Sequence, residues 1–344
     1  MKSPSNETRR AARDAAVKAA LDVVLGREDL RARRASDPVE LVHRQRANED
    51  REIVALIAAS CAFGNVKAIR MKLTELLDRV GPRPARAADD PQALGERLAG
   101  FKHRVFRGED LAKLLVGARR VQRSAGSLGA AFQRELARVD REQMSAEPEE
   151  RMREALASFC DWIRAEGGLP AAGVPDPSGR RGPAHLLSDA RAGSGVKRLL
   201  LFMRWMVRPA DGIDLGLWAV PARRLLVPVD VHIHKLARNL GLTARRDLSW
   251  RTSVEITRAL ARLDPADPTR YDFSLCHMGM VQRCASRPDA GRCEGCGVRP
   301  VCVHWTDGGE TGSTSERKAR ESARERARGG AGGGGAKLVR GRSA

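Results

Sequence analysis

Apolar residues recur along this chain at intervals of three and four, the spacing that lines one face of an α-helix. "REIVALIAASCAFG" (51–64) is apolar on most sides, which predicts a central buried helix. In "AIRMKLTELLDRVGPRP" the stripe is Ile69, Leu73, Leu76 and Val80, and Gly81 and Pro82 then stop the helix. "GEDLAKLLVGARRVQR", "EERMREALASFCDWIRAEGG" and "VKRLLLFMRWMVRP" follow the same rule, and "VEITRALARLDP" ends at an Asp-Pro pair. No sustained alternation of period two and no series of β-branched runs occurs, so no sheet is expected.

Three stretches interrupt the helices. "GGLPAAGVPDPSGRRGP" (167–183) is a loop rich in Pro and Gly, and "PADGIDLGLWAVPARRLLVP" (209–228) predicts an irregular or short-helix connection. From Thr306 the composition turns to Gly, Ser, Arg and Glu, ending in "GGAGGGGAKLVRGRSA". That segment has too little apolar surface to fold alone and is expected to be disordered. The expected molecule is an all-α globule ending near residue 305, followed by a basic tail.

Composition adds a compartment and a partner. With 344 residues there is room for one large or two ordinary domains with a real core. No signal-peptide pattern opens the chain and no apolar run has the length to cross a bilayer, so the expectation is a soluble, cytoplasmic protein. Thiols stay reduced there, and clustered cysteines bind metal more often than they pair. The net charge of +19 points to a polyanion, with nucleic acid the commonest. The plainer alternative is a solubilising surface. Aromatic residues are only 4%, with one Tyr, so a sheet that stacks single-stranded bases is not expected.

Four of the seven cysteines, Cys284, Cys293, Cys296 and Cys302, fall in one short stretch with gaps of eight, two and five. Four thiolates can hold zinc or a [4Fe–4S] cluster. Zinc ribbons usually show two close pairs, whereas here one close pair is flanked by singletons, which suits one loop wrapped around a cubane. Cys61, Cys160 and Cys276 lie on apolar helical stretches and read as packed thiols. Gly193 and Gly195 precede a helix that begins at Val196 or Lys197, a turn whose free N–H groups can grip a phosphate. Taken alone, it reads as an ordinary Gly-rich loop. Lys197 on the first turn is a phosphate contact or a nucleophile. Asp230 falls at the start of "VHIHKLARNLGL", where aspartate is a preferred N-cap. His232 and His234 are two apart and do not share a helical face, so they read as packing or phosphate contacts.

The order of these pieces resembles the helix-hairpin-helix DNA glycosylases of the endonuclease III type. The likeness runs from "GSGVK" through "PVDVHIHKLARNLGL" to "CHMGMVQRC" and "CEGCGVRPVC", with a weaker match at "REIVALIAASCAFGNVKAI". The chain also looks like an uncharacterised bacterial family related to that superfamily, on "DREIVALIAAS", "KRLLLFMRWMVR" and "VDVHIHKLARNLGLT". Three features depart from the endonuclease III pattern. The first cysteine gap is longer, "RAGSG" lacks the Leu-Pro entry to the hairpin, and an insertion widens the interval between Lys197 and Asp230. A similarly long interval occurs in archaeal 8-oxoguanine glycosylases.

The resemblance implies an all-α, two-lobed helix-hairpin-helix glycosylase-like fold with a C-terminal [4Fe–4S] cluster loop. Residues 45–225 would form a helical barrel lobe with the hairpin. Residues 226–305 would form the C-terminal lobe with the cluster loop, joined by the N-terminal segment 1–44, and 306–344 would be the tail. Lys197 matches the Schiff-base lysine and Asp230 the catalytic aspartate. Gly193 and Gly195 match the hairpin glycines that bind DNA. Cys284, Cys293, Cys296 and Cys302 match the cluster ligands, with zinc the less favoured metal. The implied activity is DNA repair: a base-excision N-glycosylase with AP lyase chemistry. Its partner would be double-stranded DNA containing a damaged base, met as a monomer near the nucleoid. The rivals are a non-catalytic DNA-binding protein that keeps the fold and cluster, and a zinc-stabilised adaptor that uses the basic tail. Arg283, Arg287, Arg292 and Arg299 would meet the backbone, and Trp205 or Trp218 could stack on an extruded base, although core packing is their commoner role.

Overall fold

The computed structural model describes residues 5–26, 29–282, 284 and 288–306, and α-helices carry the fold. The segment predicted as a central helix is one: Asn48–Ser60, with every side chain from Glu52 to Ser60 buried. Alanines alternate with Val, Leu and Ile there, which lets neighbours approach on all sides. The Val66–Val80 helix follows, capped by Asn65, whose side chain accepts from the Lys67 and Ala68 N–H groups. Its buried stripe is Ile69, Leu73, Leu76 and Val80, and Gly81 at φ +98° ends it.

The Gly108–Ala125 and Pro148–Gly167 helices cross at two glycines. A Cβ on Gly117 would sit 2.3 Å from the Ile163 carbonyl oxygen, and one on Gly167 would sit 2.3 Å from that of Lys113. Only glycine permits that approach. The Leu128–Glu142 helix begins against the buried Glu52 carboxylate, which accepts from the N–H groups of Leu128 and Gly129 at 2.9 Å each. Trp218 Nε1 at 2.7 Å and Gln122 Nε2 at 2.8 Å complete its partners. Trp218 also stacks on Phe132, and Trp205 is buried in the same core, so both tryptophans serve packing. They are not free to stack on a base.

One small departure from the sequence expectation is a pair of two-residue strands, Lys102–His103 and Phe106–Arg107. Arg104 adopts φ +55° to close the turn, and Phe106 is fully buried. No alternation could announce strands this short. Segment 209–228 is largely irregular, as expected, with one 3-10 turn at Ala222–Arg224.

The apolar side chains form two clusters. The larger is built from residues between Val39 and Leu226, joined by Trp250 and Phe273. The smaller gathers Val17, Leu21 and Val24 of the Asn6–Gly26 helix with the Val231–Asn239 and Trp250–Ala261 helices, Tyr271, Leu275, Val298 and Val301. Polar ties anchor the first helix there: Arg262 to Asp14 at 2.8 Å, Tyr271 Oη to Asp22 at 2.6 Å, and Arg13 to the Leu240 carbonyl at 3.2 Å.

Buried ion pairs cross between the clusters. Arg204, on the Lys197–Val207 helix, pairs with Asp214 and with Asp272 at the start of the Asp272–Gln282 helix. Arg208 pairs with Asp214 and, at 2.8 Å, with Asp267. Such pairs are costly to break, because removing one partner leaves an uncompensated charge. Among the described residues no helix is long and apolar enough to cross a membrane.

Candidate active site and cysteine loop

The hairpin glycines have separate physical reasons. Gly193 sits at φ +78°, a left-handed conformation that glycine adopts without cost. Gly195 has ordinary φ, but a Cβ there would lie 2.5 Å from the Leu248 carbonyl oxygen. Ser194 bridges Ser249 in antiparallel fashion, and the Trp250 N–H donates to the Gly193 carbonyl at 3.1 Å. One side of the turn is thus docked on the entry to the Trp250–Ala261 helix.

Val196 then takes φ +35°, ψ +37° as N-cap of the Lys197–Val207 helix, without a side-chain cap. A β-branched residue in the left-handed region is strained, at about 1–3 kcal/mol, and persists only where its surroundings hold it. Here the buried Val196 side chain and the apolar face of the helix that follows do so. Lys197, the next residue, opens the helix on the side of Asp230.

Lys197 Nζ lies 3.7 Å from Asp230 Oδ2, across the insertion that separates them in sequence, and both side chains are partly exposed. The aspartate divides its oxygens between two tasks. Oδ1 caps the Val231–Asn239 helix, accepting from the His232 N–H at 2.9 Å and the Ile233 N–H at 3.0 Å. Oδ2 faces Lys197. The cap and a chemical role are therefore compatible in one residue.

Oδ2 also has a neighbour that sequence reasoning treated as packing. Cys276 Sγ lies 3.8 Å from it, and burial, with the charges of Asp230 and Asp272 adding to it, pushes this thiol well above the usual range. Cys276 therefore stands as a protonated thiol able to donate to the carboxylate. Asp272, one turn earlier on the same helix, was also missed. The readable signal was "YDFSLCHMGM", an Asp and a Cys four apart and so on one face of a helix.

The arginines on either side are engaged elsewhere. Arg191 pairs with Glu154 and Asp161, both at 2.7 Å. Arg198 donates to the carbonyls of Ser60 and His185 and lies over the Phe63 ring. Burial lowers its pKa to about 10. His234 contacts the Arg245 carbonyl at 3.0 Å.

The cysteine loop is a succession of short turns. Gly295 at φ +70° closes the turn between Cys293 and Cys296, whose N–H donates to the Cys293 carbonyl. Gly297 presses on the first helix, where a Cβ would meet Val24 at 2.7 Å. Val298 and Val301 enter the smaller core, and Arg299 stacks on Trp305. Cys284 receives a hydrogen bond from Asn239 Nδ2 at 3.2 Å, and Asn239 Oδ1 contacts His304 Nε2 at 3.1 Å. Burial raises the Cys284 pKa, and the other three thiols of the set raise it further. For Cys302, too, burial is the main upward cause. Cys61, Cys160, Cys276, Cys293, Cys296 and Cys302 carry no disulfide among the described residues. Among the described residues, no three His, Cys, Asp or Glu side chains already converge on a metal-sized point. Cys61 and Cys160 are buried and pushed up to about 12 by that burial, as packed thiols should be. Arg283, Arg287 and the tail beyond Thr306 lie outside the described residues.

An all-α protein is thus defined, with a lysine–aspartate pair beside a glycine turn. Comparison with protein families matches residues 37–281 to the family described as protein of unknown function (DUF2400). That span is well over half of the chain, and the protein belongs to this family. It includes Gly193, Gly195, Lys197, Asp230, Asp272 and Cys276, whereas Cys284 and the cysteines after it lie beyond its end. No curated protein and no solved structure matches the chain.

Proposed function

We propose that this protein is a DNA N-glycosylase with AP lyase activity, acting on a damaged base in double-stranded DNA, on a two-lobed helix-hairpin-helix fold. The observation that carries the reading is the approach of Lys197 Nζ to Asp230 Oδ2 at 3.7 Å, next to a glycine turn at a helix start. The two separate apolar clusters support the two-lobed arrangement.

The chemistry follows from the groups present. The target nucleotide leaves the stack so that its sugar reaches Lys197. The lysine, once deprotonated, adds at the anomeric carbon as the N-glycosidic bond breaks and the base departs with the bonding electrons. Asp230 Oδ2 carries negative charge against the cationic sugar as that bond opens. The sugar ring then opens as the C1′–O4′ bond breaks and O4′ takes the proton left on the lysine nitrogen. The resulting imine acidifies the adjacent sugar C–H, whose loss of a proton expels the 3′ phosphate. The Cys276 thiol donates to Oδ2 and keeps the carboxylate oriented.

The four-thiol set of Cys284, Cys293, Cys296 and Cys302 suits a [4Fe–4S] cluster in its donor chemistry, with each thiol of the set acting electrostatically on Cys284. Bound there, the group would order the loop that carries Arg292 and Arg299. Stoichiometric zinc without acid-labile sulfide in purified protein would instead favour the adaptor reading.

A non-catalytic DNA-binding role draws on one observation, that Asp230 Oδ1 is a complete helix cap. Borohydride trapping on a panel of lesion-containing duplexes separates the readings. A covalent adduct that disappears in Lys197→Gln supports the enzyme. Equal binding to all duplexes without an adduct supports the alternative.

A further inference from the structure

Asp230 is asked to do two things that conflict. If Oδ2 keeps the proton that Lys197 releases, the carboxyl is neutral when the sugar becomes cationic and no longer stabilises it. A second group that holds the proton removes the conflict.

Asp272 has the placement for this. Its side chain is only 4% exposed. Its Oδ2 is held by Arg204, while its Oδ1 is buried without a hydrogen-bond partner among the described residues. An unsatisfied buried acceptor is costly and calls for a reason. Asp272 and Cys276 project from one face of their helix, and Cys276 reaches Asp230 Oδ2. The charged and titratable groups around it come from several elements. They are Lys197 and Arg204 on the Lys197–Val207 helix, Asp230 at the helix cap, and Cys276 on its own helix, with Asp214 joined through Arg204. His277 and Asp37 lie at the rim of this set.

We propose that Asp272 is the proton-holding residue of this site, taking the proton that the Lys197 ammonium must lose before its amine attacks. The inference rests on the reading of Lys197 as nucleophile. The N–H bond of Nζ breaks and its electron pair stays on nitrogen. The proton passes to Asp230 Oδ2 and from there through the Cys276 thiol, which takes it as it gives its own proton to the open Oδ1 of Asp272 one turn away. The Asp272 carboxylate becomes a neutral carboxyl and the thiol is unchanged. No electrons are exchanged, and Asp230 is again an anion when the glycosidic bond opens. Asp272 acts through Lys197 and Asp230 rather than on the DNA. Burial raises its pKa to about 6 against the pull of Arg204, and the Asp230 charge adds to the rise. It is therefore a carboxylate above that pH, free to accept, and it is already protonated below it.

The test uses the full chain, a duplex with an abasic site, and cyanoborohydride trapping from pH 5 to 9. Wild-type trapping should fall as pH drops through about 6. Asp272→Asn should trap at least roughly 10-fold more slowly at pH 7 and show no inflection near 6. It should approach wild type near pH 9, where solvent takes the proton, and Asp272→Glu should restore part of the rate. Wild-type behaviour of Asp272→Asn at every pH overturns the proposal. So does a constant loss that persists at pH 9, which marks a structural role. If Asp272→Asn does not fold, carbon-13 carboxyl titration of the unmutated protein decides. A carboxyl that titrates near 6 and moves in Lys197→Gln supports the proposal, and its absence overturns it. No adduct from wild type at any pH overturns the nucleophile reading itself. An adduct with unchanged Asp272→Asn overturns only the present inference.

Discussion

The lysine–aspartate site and the cysteine loop are built in opposite ways. Around Lys197 and Asp230 the geometry comes from long buried helices. The Lys197–Val207 helix is almost wholly buried beyond its first turn, Asp230 is fixed by two backbone N–H groups, and Arg204 ties the helix to Asp272. The cysteine loop contains no helix longer than four residues between Ala290 and Thr306. Two valines, a glycine contact and the Asn239–Cys284 hydrogen bond attach it to the smaller core. Packing alone can place the first site to within a hydrogen-bond length. On the proposed reading, a cluster held by its thiols would supply the order that so little apolar anchorage cannot, as small metal sites contribute folding energy.

The sharpest test of this contrast is chemical. Lys197→Gln should abolish borohydride trapping and strand cleavage, by about 10³-fold or more, while the melting temperature and iron content stay unchanged. Asp230→Asn should keep the cap, because Asn serves as well there, yet lose roughly 10²-fold or more in rate. Turnover at the wild-type rate by Asp230→Asn would sink its catalytic assignment.

Next in size is a break in the larger core. Glu52→Ala leaves Trp218 Nε1, Gln122 Nε2 and two backbone N–H groups without their shared acceptor. The expected cost is about 3–5 kcal/mol of stability, read by denaturant unfolding, with metal content per folded molecule unchanged. A shift below about 1 kcal/mol would mean that water replaces the carboxylate easily.

A smaller effect is expected from the loop. Cys284→Ser should lower iron and acid-labile sulfide and drop the melting temperature by roughly 5 °C, chiefly by loosening the smaller core. Cys61→Ser should leave metal content intact. If both variants retain iron equally, the loop is not the metal site.

The smallest effect belongs to the tail. Deleting residues 315–344 should weaken DNA binding and flatten its salt dependence, because fewer counterions are released. Lesion preference should stay the same. Loss of base excision at unchanged affinity would instead place the tail in the active site.

The sequence by itself determined the helices, because a local period of apolar residues is all that a buried helical face requires. Ile69, Leu73, Leu76 and Val80 occupy the predicted stripe, and Gly81 ends that helix where expected. It also marked Lys197 and Asp230, since a lysine after a glycine turn and an aspartate at a helix start are local patterns. Tertiary structure alone decided what those residues meet. The approach of Nζ to Oδ2 spans an insertion whose path depends on Trp218 reaching Glu52 and Arg208 reaching Asp214. The strained Val196 has no local signature either. The spacing of Asp272 and Cys276 marks only a shared helix face, not the carboxylate that the thiol meets or the oxygen left without a partner among the described residues. Burial and charge at those atoms are set by residues distant in the chain. Short-range pattern fixes backbone conformation, whereas desolvation and Coulomb interactions depend only on what lies nearby once the chain has folded.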